Sequence, residues 1–245
     1  IINFFTFTAL FLFLLEKSKI HFRNKIFFFY GWFFGFGFFL SNLYWVSISL
    51  SFDQNFKQLI PLTVILLPAL ISLFYGFITY LFIIFNQKKI ISSFLIFSVL
   101  FGSFEYIRGI IFTGFPWNLI AYSFSNQTEI LSVISLIGTY GFNLLCISLF
   151  TSPAILLKRK SKKDILISFL ILISPIIFFI YGLNYKEKFN MAKKVSYDYK
   201  IRVIGSNISL NRFYDSPNPK KIIGELIDIS VPNKDESIIF LWPEG

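Results

Sequence analysis

Residues 59 to 85 read LIPLTVILLPALISLFYGFITYLFIIF, a stretch of 27 residues without a charged side chain. A helix that crosses the hydrocarbon core of a bilayer needs about 20 mostly apolar residues. Pro61 and Pro68 do not argue against a helix, because neighbouring helices and hydroxyl side chains can satisfy the carbonyls that proline frees within a membrane. The stretch therefore predicts a membrane-spanning helix, which ends at the polar sequence NQKK of residues 86 to 89.

The whole chain has the composition of a membrane protein. Of its 245 residues, 55% are hydrophobic and only 15% are charged, and the mean hydropathy is +0.67. These values exclude an ordinary soluble globular protein. Six apolar segments predict a multispan α-helical membrane bundle: residues 1 to 15, 26 to 50, 59 to 85, 90 to 112, 128 to 157 and 165 to 183.

Charge in the connecting loops predicts the orientation of the bundle. One set of alternate loops holds eleven Lys and Arg residues, whereas the other set holds only Lys57 and Arg108. Cytoplasmic loops have an excess of positive charge, so the first set is expected in the cytoplasm and the chain after residue 184 on the outer side. The basic run of residues 158 to 163 could also bind anionic lipid or nucleic acid. Topology explains it better, and no nucleic acid partner is predicted.

The last quarter of the chain is polar and charged, which predicts a second domain. We assign residues 1 to 183 to the membrane bundle and residues 184 to 245 to this domain, which begins with a strand over 201 to 208. An amphipathic helix over 217 to 230 follows, with Ser216 as its cap and Pro217 in its first turn. Residues 238 to 242 are apolar throughout, as in a strand buried on both faces. Strand, helix and strand together indicate a βαβ unit.

Glu244 is the first candidate for a catalytic residue. It follows the second strand directly, behind Pro243, at the sheet edge where active sites of open α/β sheets gather. A carboxylate at the lip of an apolar strand loses solvation, which raises its pKa and suits it as a general base near neutral pH. An ordinary solvated loop glutamate is the alternative interpretation.

Two further groups of residues could contact a substrate. Glu105 and Arg108 lie three apart near the outer end of the fourth span, where charged side chains are costly and usually face a protein interior or a wet cavity. A structural ion pair is the alternative. The turn around Phe115, Pro116 and Trp117, and Trp45 at the end of the second span, could equally be aromatic anchors in the headgroup region.

Metal chemistry is not expected. The sequence contains one cysteine, Cys146, and one histidine, His21, which excludes a Cys-rich metal site and an intrachain disulfide. Cys146 lies near the cytoplasmic end of the fifth span, so we interpret it as a packing residue. We predict no metal and no cofactor.

Three stretches together resemble the apolipoprotein N-acyltransferase family. They are FGFGFFLSNLYWVSIS at 34 to 49, EYIRGIIFTGFPWNLIAY at 105 to 122, and SIIFLWPE at 237 to 244. The first two are similar to membrane stretches of that family, and the third to the strand that holds the catalytic glutamate of its nitrilase-like, carbon-nitrogen hydrolase domain. One departure is Gly205, Ser206 and Asn207, where the family commonly has Gln-Gly-Asn.

The resemblance implies a fold and a location. The expected fold is a multispan α-helical membrane bundle followed by the first βαβ unit of an αββα nitrilase-like domain, in the bacterial inner membrane with residues 184 to 245 in the periplasm. The chain starts at Ile1 and ends soon after an apolar run, so we expect a fragment. It would lack the family's catalytic lysine and nucleophilic cysteine and be inactive alone.

The resemblance also implies a reaction. The family moves an acyl chain from a phospholipid, through a thioester, to the amino group of the diacylglyceryl-modified cysteine of an apolipoprotein. Glu244 would be the general base, and the GFPW sequence could line the entry for lipid substrates. Two alternatives stay open: a membrane scaffold whose outer domain has no competent site, and a membrane-anchored amidase that uses water.

Overall fold

A computed structural model describes residues 2–20, 24–111, 114–192, 199–205, 219–232 and 237–242. Its helices are α1 (Ile2–Lys17), α2 (Lys25–Leu43), α3 (Ile60–Phe85), α4 (Ile90–Ile110), α5 (Thr128–Leu131), α6 (Ile134–Thr151), α7 (Pro153–Leu157), α8 (Lys162–Met191) and α9 (Pro219–Ser230). Its strands are β1 (Lys200–Val203) and β2 (Ile238–Leu241). Short 3-10 helices cover Tyr44–Phe52, Lys57–Leu59 and Ile120–Phe124.

The chain divides into two compact units, Ile1–Met191 and Ala192–Gly245. Within the described part of the first unit, five helical segments are long and apolar enough to cross a bilayer: Lys25–Phe52, Lys57–Phe85, Ile90–Ile110, Ile134–Leu157 and Lys162–Met191. The first predicted segment also forms a helix, but α1 has 16 residues, fewer than the roughly 20 that a span needs. The prediction of a multispan helical bundle is confirmed at this level.

Helices α2 and α3 pack closely because small residues line their contact. Gly31 of α2 lies so near α3 that an added Cβ would overlap Thr79 Oγ1 and the carbonyl oxygen of Tyr75. Thr79 Oγ1 also donates a hydrogen bond to the carbonyl of Phe27, at 2.6 Å. Close backbone approach and interhelical hydrogen bonds are the usual basis of helix association in lipid, where burial of apolar surface gives no driving force.

The centre of the bundle is filled by aromatic rings. Phe11, Phe82 and Phe97 are fully buried, and their ring centroids lie 5.1 to 5.7 Å apart in tilted or edge-on pairs. Apolar side chains also cover the outside of the bundle, for example Leu62, which is 56% exposed, and Leu166, which is 58% exposed. An exterior of this kind is a liability in water and is matched to lipid.

Three of the predicted spans have different helical bounds in the structure. The α-helix that begins the second span ends at Leu43 and continues as the 3-10 helix Tyr44–Phe52. The fifth predicted span contains α5, α6 and α7, and α6 itself is kinked at Gly138, whose φ is +72°. The sixth span lies inside α8, which runs on to Met191.

The second unit has two parallel strands with a helix between them in the sequence. Lys200 pairs with Ile238 and Val203 with Leu241, in parallel register. Trp242 Nε1 donates to Ser230 Oγ at 2.9 Å, and Arg202 donates to the Ser230 carbonyl at 2.7 Å, so both strands are tied to the end of α9. The predicted order of strand, helix and strand is present, whereas Ser216 and Pro217 lie outside the described residues.

Candidate functional site

Glu105 and Arg108 form an ion pair in the interior of the bundle. Both lie on the last two turns of α4, one helical turn apart, and they are 1% and 2% exposed. Arg108 Nη2 donates to Glu105 Oε2 at 2.5 Å. The structure thus places these two predicted site residues against each other and away from lipid, because the spacing of three residues puts them on one face of the helix.

Arg108 also holds the segment that follows α4. We call residues 114 to 117 the GFPW turn. Arg108 Nη1 donates to the carbonyl of Phe115 at 2.7 Å and to that of Trp117 at 2.8 Å. The guanidinium carbon lies 5.3 Å from the centre of the Phe39 ring of α2, within range of a cation–π contact. One side chain therefore connects α4, α2 and the GFPW turn.

The backbone of the GFPW turn needs glycine at its first position. Gly114 has a φ of +87°, and an added Cβ would come within 2.6 Å of the Gly109 carbonyl oxygen. The turn folds back onto α4, since the Phe115 amide donates to the Arg108 carbonyl at 3.1 Å. Only glycine reaches this backbone region without strain, so the sequence itself fixes where the chain reverses.

Two tryptophans meet beside the turn. The rings of Trp45 and Trp117 lie 5.4 Å apart in an edge-on arrangement. Trp45 Nε1 donates to the Asn42 carbonyl at 2.9 Å, which orients the indole. The two side chains are 42% and 51% exposed. A half-exposed indole pair of this kind suits the headgroup region of a bilayer.

The ion pair does not use all of its hydrogen-bond donors and acceptors. Among the described residues, Arg108 Nε is buried without a hydrogen-bond partner, and the buried Tyr75 hydroxyl lies near the Glu105 carboxylate without a well-formed hydrogen bond to Oε1. A buried pair of charges with unused donors and acceptors stabilises a fold less than well-packed apolar side chains would. Its presence therefore points to a positional role, and the pair holds the GFPW turn.

Two open grooves flank the turn within the first unit. One, of about 580 Å³, is lined by α3 residues such as Leu67, Leu70 and Phe74 and by Phe115, with Arg108 at its inner wall. The other, of about 1040 Å³, combines phenylalanines of α2 with polar side chains that include Asn42 and Asn118. The first groove is almost wholly apolar, whereas the second, although also mostly apolar, has a larger share of amide and hydroxyl groups, and together they suit an amphiphilic ligand.

The remaining predicted residues are placed as follows. Pro116 is exposed in the GFPW turn. Glu244 lies outside the described residues, three positions after the last residue of β2. Cys146 is buried in α6 at 2% exposure, which agrees with a packing role. In the part of the chain that the structure describes, no group of three His, Cys, Asp or Glu side chains could hold a metal ion.

Sequence reasoning missed two residues of this site, Phe39 and Tyr75. Phe39 is one of 35 phenylalanines, so nothing in the sequence distinguished the ring that lies beneath Arg108. Tyr75 offered a signal, because a hydroxyl in the middle of a long apolar span has to be satisfied or buried against a polar neighbour.

Comparison with known proteins identifies the family. Residues 1–152 match the model of the apolipoprotein N-acyltransferase N-terminal domain, a range that contains the ion pair and the GFPW turn. Relatives named apolipoprotein N-acyltransferase occur in Brucella melitensis, 37% identical over 127 residues (51% of this chain and 24% of the relative), and in Rickettsia prowazekii, 35% identical over 156 residues (62% and 31%). The chain thus spans about a quarter to a third of the length of these relatives. It belongs to the apolipoprotein N-acyltransferase family.

Proposed function

We propose that this chain is part of an enzyme of lipoprotein maturation, which transfers an acyl chain from a phospholipid to the amino group of a diacylglyceryl-modified cysteine of an apolipoprotein. The name of the relatives and the match over residues 1–152 support this reaction class. The structural observation that supports it most is the GFPW turn, which Arg108 holds against an apolar groove, while the next residue, Asn118, lines a second groove that has more amide and hydroxyl groups.

The two grooves fit the physical problem that such an enzyme has to solve. Donor and acceptor are both anchored in lipid, so a site at the membrane surface lets them arrive by lateral diffusion. The apolar groove along α3 would take an acyl chain, and the amide and hydroxyl groups of the second groove would meet a polar headgroup. Trp45 and Trp117 would then mark the entry at headgroup depth.

We further propose that the chain lies in the bacterial inner membrane, with residues 184 to 245 on the periplasmic side. The excess of Lys and Arg in one set of loops supports this orientation. The parallel strands β1 and β2, with α9 between them in sequence, support the start of a nitrilase-like α/β domain.

In this proposal Glu244 is the general base of both half-reactions. It takes the proton of a cysteine thiol, and the thiolate attacks the ester carbonyl of the phospholipid. The tetrahedral intermediate, whose oxyanion a lysine stabilises, expels the lysophospholipid, which receives the proton. The amine of the acceptor next attacks the thioester, Glu244 takes its proton, and the leaving thiolate takes this proton from Glu244, which restores the thiol and the carboxylate.

The nucleophile of this reaction is not Cys146. Its sulfur is buried in α6 among core residues, where a bulky phospholipid ester cannot reach it. Because Cys146 is the single cysteine of the 245 residues, we propose that these residues alone are inactive. The thiol and the lysine would belong to further sequence of the full-length enzyme.

An acylation assay tests the proposal. Full-length protein in detergent is given a phospholipid and a diacylglyceryl peptide, and wild type is compared with Glu244→Gln. We expect N-acylated peptide from wild type and a loss of at least about 100-fold in the variant, the usual contribution of a positioned base. Glu225→Gln, which changes another carboxylate of the same unit, on α9, is the matched control.

The outcomes separate the alternatives. If Glu244→Gln matches wild type, Glu244 is an ordinary loop carboxylate. If wild type releases fatty acid to water and acylates no peptide, the protein is an amidase-like hydrolase. If wild type is silent while a control acyltransferase consumes the same substrates, a scaffold without a competent site is the correct interpretation.

A further inference from the structure

Two segments that are distant in sequence, residues 88 to 92 and 160 to 164, surround a cleft at the end of the bundle opposite the GFPW turn. We call it the basic cleft. It has a volume of about 530 Å³ and is lined by Lys88, Lys89, Lys160 and Lys163, by Ser161 and Asp164, and by the first residues of α4. Loop charge alone requires lysines on this side of the membrane, but it does not require them to converge around one cavity.

The basic cleft has more positive than negative charge, with four lysines and one carboxylate. Within the described part of the chain, none of its four lysines forms an ion pair. Its one carboxylate, Asp164, serves its own helix, because Oδ2 accepts the amides of Lys160 at 2.7 Å and Ser161 at 2.9 Å and so caps α8. A neighbouring cleft, which shares Lys88 and Lys160 with the basic cleft, differs, since Glu16 pairs there with Lys19 and Lys158.

Backbone geometry adds to the positive potential. Ile90, Ile91 and Ser92 are the first three residues of α4, and all three line the basic cleft. The residue before them, Lys89, makes no side-chain cap. The amides at the start of a helix point outward and favour an anion, so α4 reinforces the lysines.

Exposed apolar side chains follow the residues of the basic cleft on both helices. Leu95 of α4 is 53% exposed, and Leu166 and Phe169 of α8 are 58% and 59% exposed, all within two turns of the lysines. A ligand that fits both features has an anionic group for the cleft and apolar chains for the helix faces. Basic pockets between membrane helices on the cytoplasmic side bind phospholipid headgroups in this way.

We propose that the basic cleft binds the headgroup phosphate of an anionic phospholipid, whose acyl chains lie along the exposed faces of α4 and α8. This site is separate from the acyl donor site of the proposed reaction, at the other end of the bundle. It stands whether or not that proposal holds, because it depends only on the lysines, the helix start and the lipid-facing surface.

Thermal unfolding of the full chain in detergent micelles tests the proposal. Phosphatidylglycerol, phosphatidylcholine or inorganic phosphate is added, and the dependence of Tm on concentration gives an apparent Kd. Of the three additions, only phosphatidylglycerol should raise the Tm of wild type. The variant Lys88→Gln/Lys160→Gln removes two cleft lysines and should weaken the apparent Kd by about 25-fold, at about 1 kcal/mol per lysine near a membrane surface.

Two further variants distinguish the loss of a binding site from a change in net charge and from a loss of the folded structure. Lys57→Gln/Lys188→Gln makes the same change at two exposed lysines away from the cleft and should respond like wild type. Lys88→Arg/Lys160→Arg keeps the charge and should retain binding. The proposal is overturned if phosphatidylcholine stabilises equally, if inorganic phosphate alone reproduces the shift, or if the cleft variant and the exposed-lysine variant respond alike.

Discussion

At the scale of single residues, Arg108 connects the interior of the bundle to its surface. Its Nη2 donates to a carboxylate on its own helix, and its Nη1 donates to two carbonyls of the GFPW turn. Lysine could not replace it, because one ammonium group lacks the planar fork that reaches both directions at once. The arginine therefore couples the position of Trp117 to the end of α4.

Removing the arginine alone should destabilise the protein strongly. Arg108→Ala leaves the Glu105 carboxylate buried without its partner, which lowers the free energy of unfolding by about 3–5 kcal/mol. Arg159→Ala is the control, because within the described ranges this exposed guanidinium donates only to the Leu156 carbonyl, at 3.2 Å, and we expect a change within about 0.5 kcal/mol. Denaturant unfolding in detergent measures both variants.

A double variant separates stability from the positioning of the turn. Glu105→Leu/Arg108→Met replaces both charges by apolar side chains of similar size, so stability should return close to that of wild type. The GFPW turn loses the two hydrogen bonds from the Arg108 side chain. The Phe115 amide hydrogen should therefore exchange with solvent at least about tenfold faster. Unchanged exchange at Phe115 in a stable double variant would show that the pair does not hold the turn.

At the scale of elements, the contact between α2 and α3 depends on one small residue. Gly31→Ala places a methyl group against the Tyr75 carbonyl, which is part of a helix backbone and cannot move aside. The helices have to separate, with a loss of about 1–3 kcal/mol of stability. Gly37→Ala on the same helix has no atom within 4 Å of its new Cβ and should be neutral or stabilising by up to about 1 kcal/mol. Equal effects in detergent unfolding would contradict this account.

Hydropathy predicted the apolar segments, but the bounds of the helices depend on local hydrogen bonds and ion pairs. The α-helix of the second span ends at Leu43, and Ser47 and Ser49 then donate their hydroxyls to carbonyls three residues back, which suits a 3-10 helix. Conversely, α8 continues past its apolar part to Met191, because Lys186 and its neighbours are good helix formers and Lys186 pairs with Glu129 at 2.8 Å. In both segments the change from apolar to polar residues does not coincide with the end of the α-helix.

Part of the candidate site could be predicted from the sequence. A charged pair spaced by three residues in an apolar helix had to be paired or functional, and it was found paired. Its contacts to Phe115 and Trp117 could not be predicted, because they depend on how the chain reverses after α4. That reversal uses the positive φ of Gly114, and residue patterns do not specify the direction of the following turn.

At the scale of the whole molecule, orientation follows from charge and is testable with cysteine labelling. Eleven Lys and Arg residues lie in one set of loops and two in the other, so Arg159 should face the cytoplasm and Gln54 and Glu187 the outer side. Cys146→Ala removes the single, buried cysteine and provides a parent without thiols. Gln54→Cys, Glu187→Cys and Arg159→Cys are then introduced separately, at exposed positions.

Intact spheroplasts treated with a membrane-impermeant maleimide should label Gln54→Cys and Glu187→Cys and leave Arg159→Cys unlabelled until detergent is added. Glu187 is the informative position, because it lies near the end of α8, from which the chain enters the second unit. Labelling of Glu187→Cys in intact spheroplasts would place the start of that unit on the outer side, as the proposed function requires. The reverse pattern, with Arg159→Cys alone labelled, would put Glu244 in the cytoplasm and remove the basis of its proposed role.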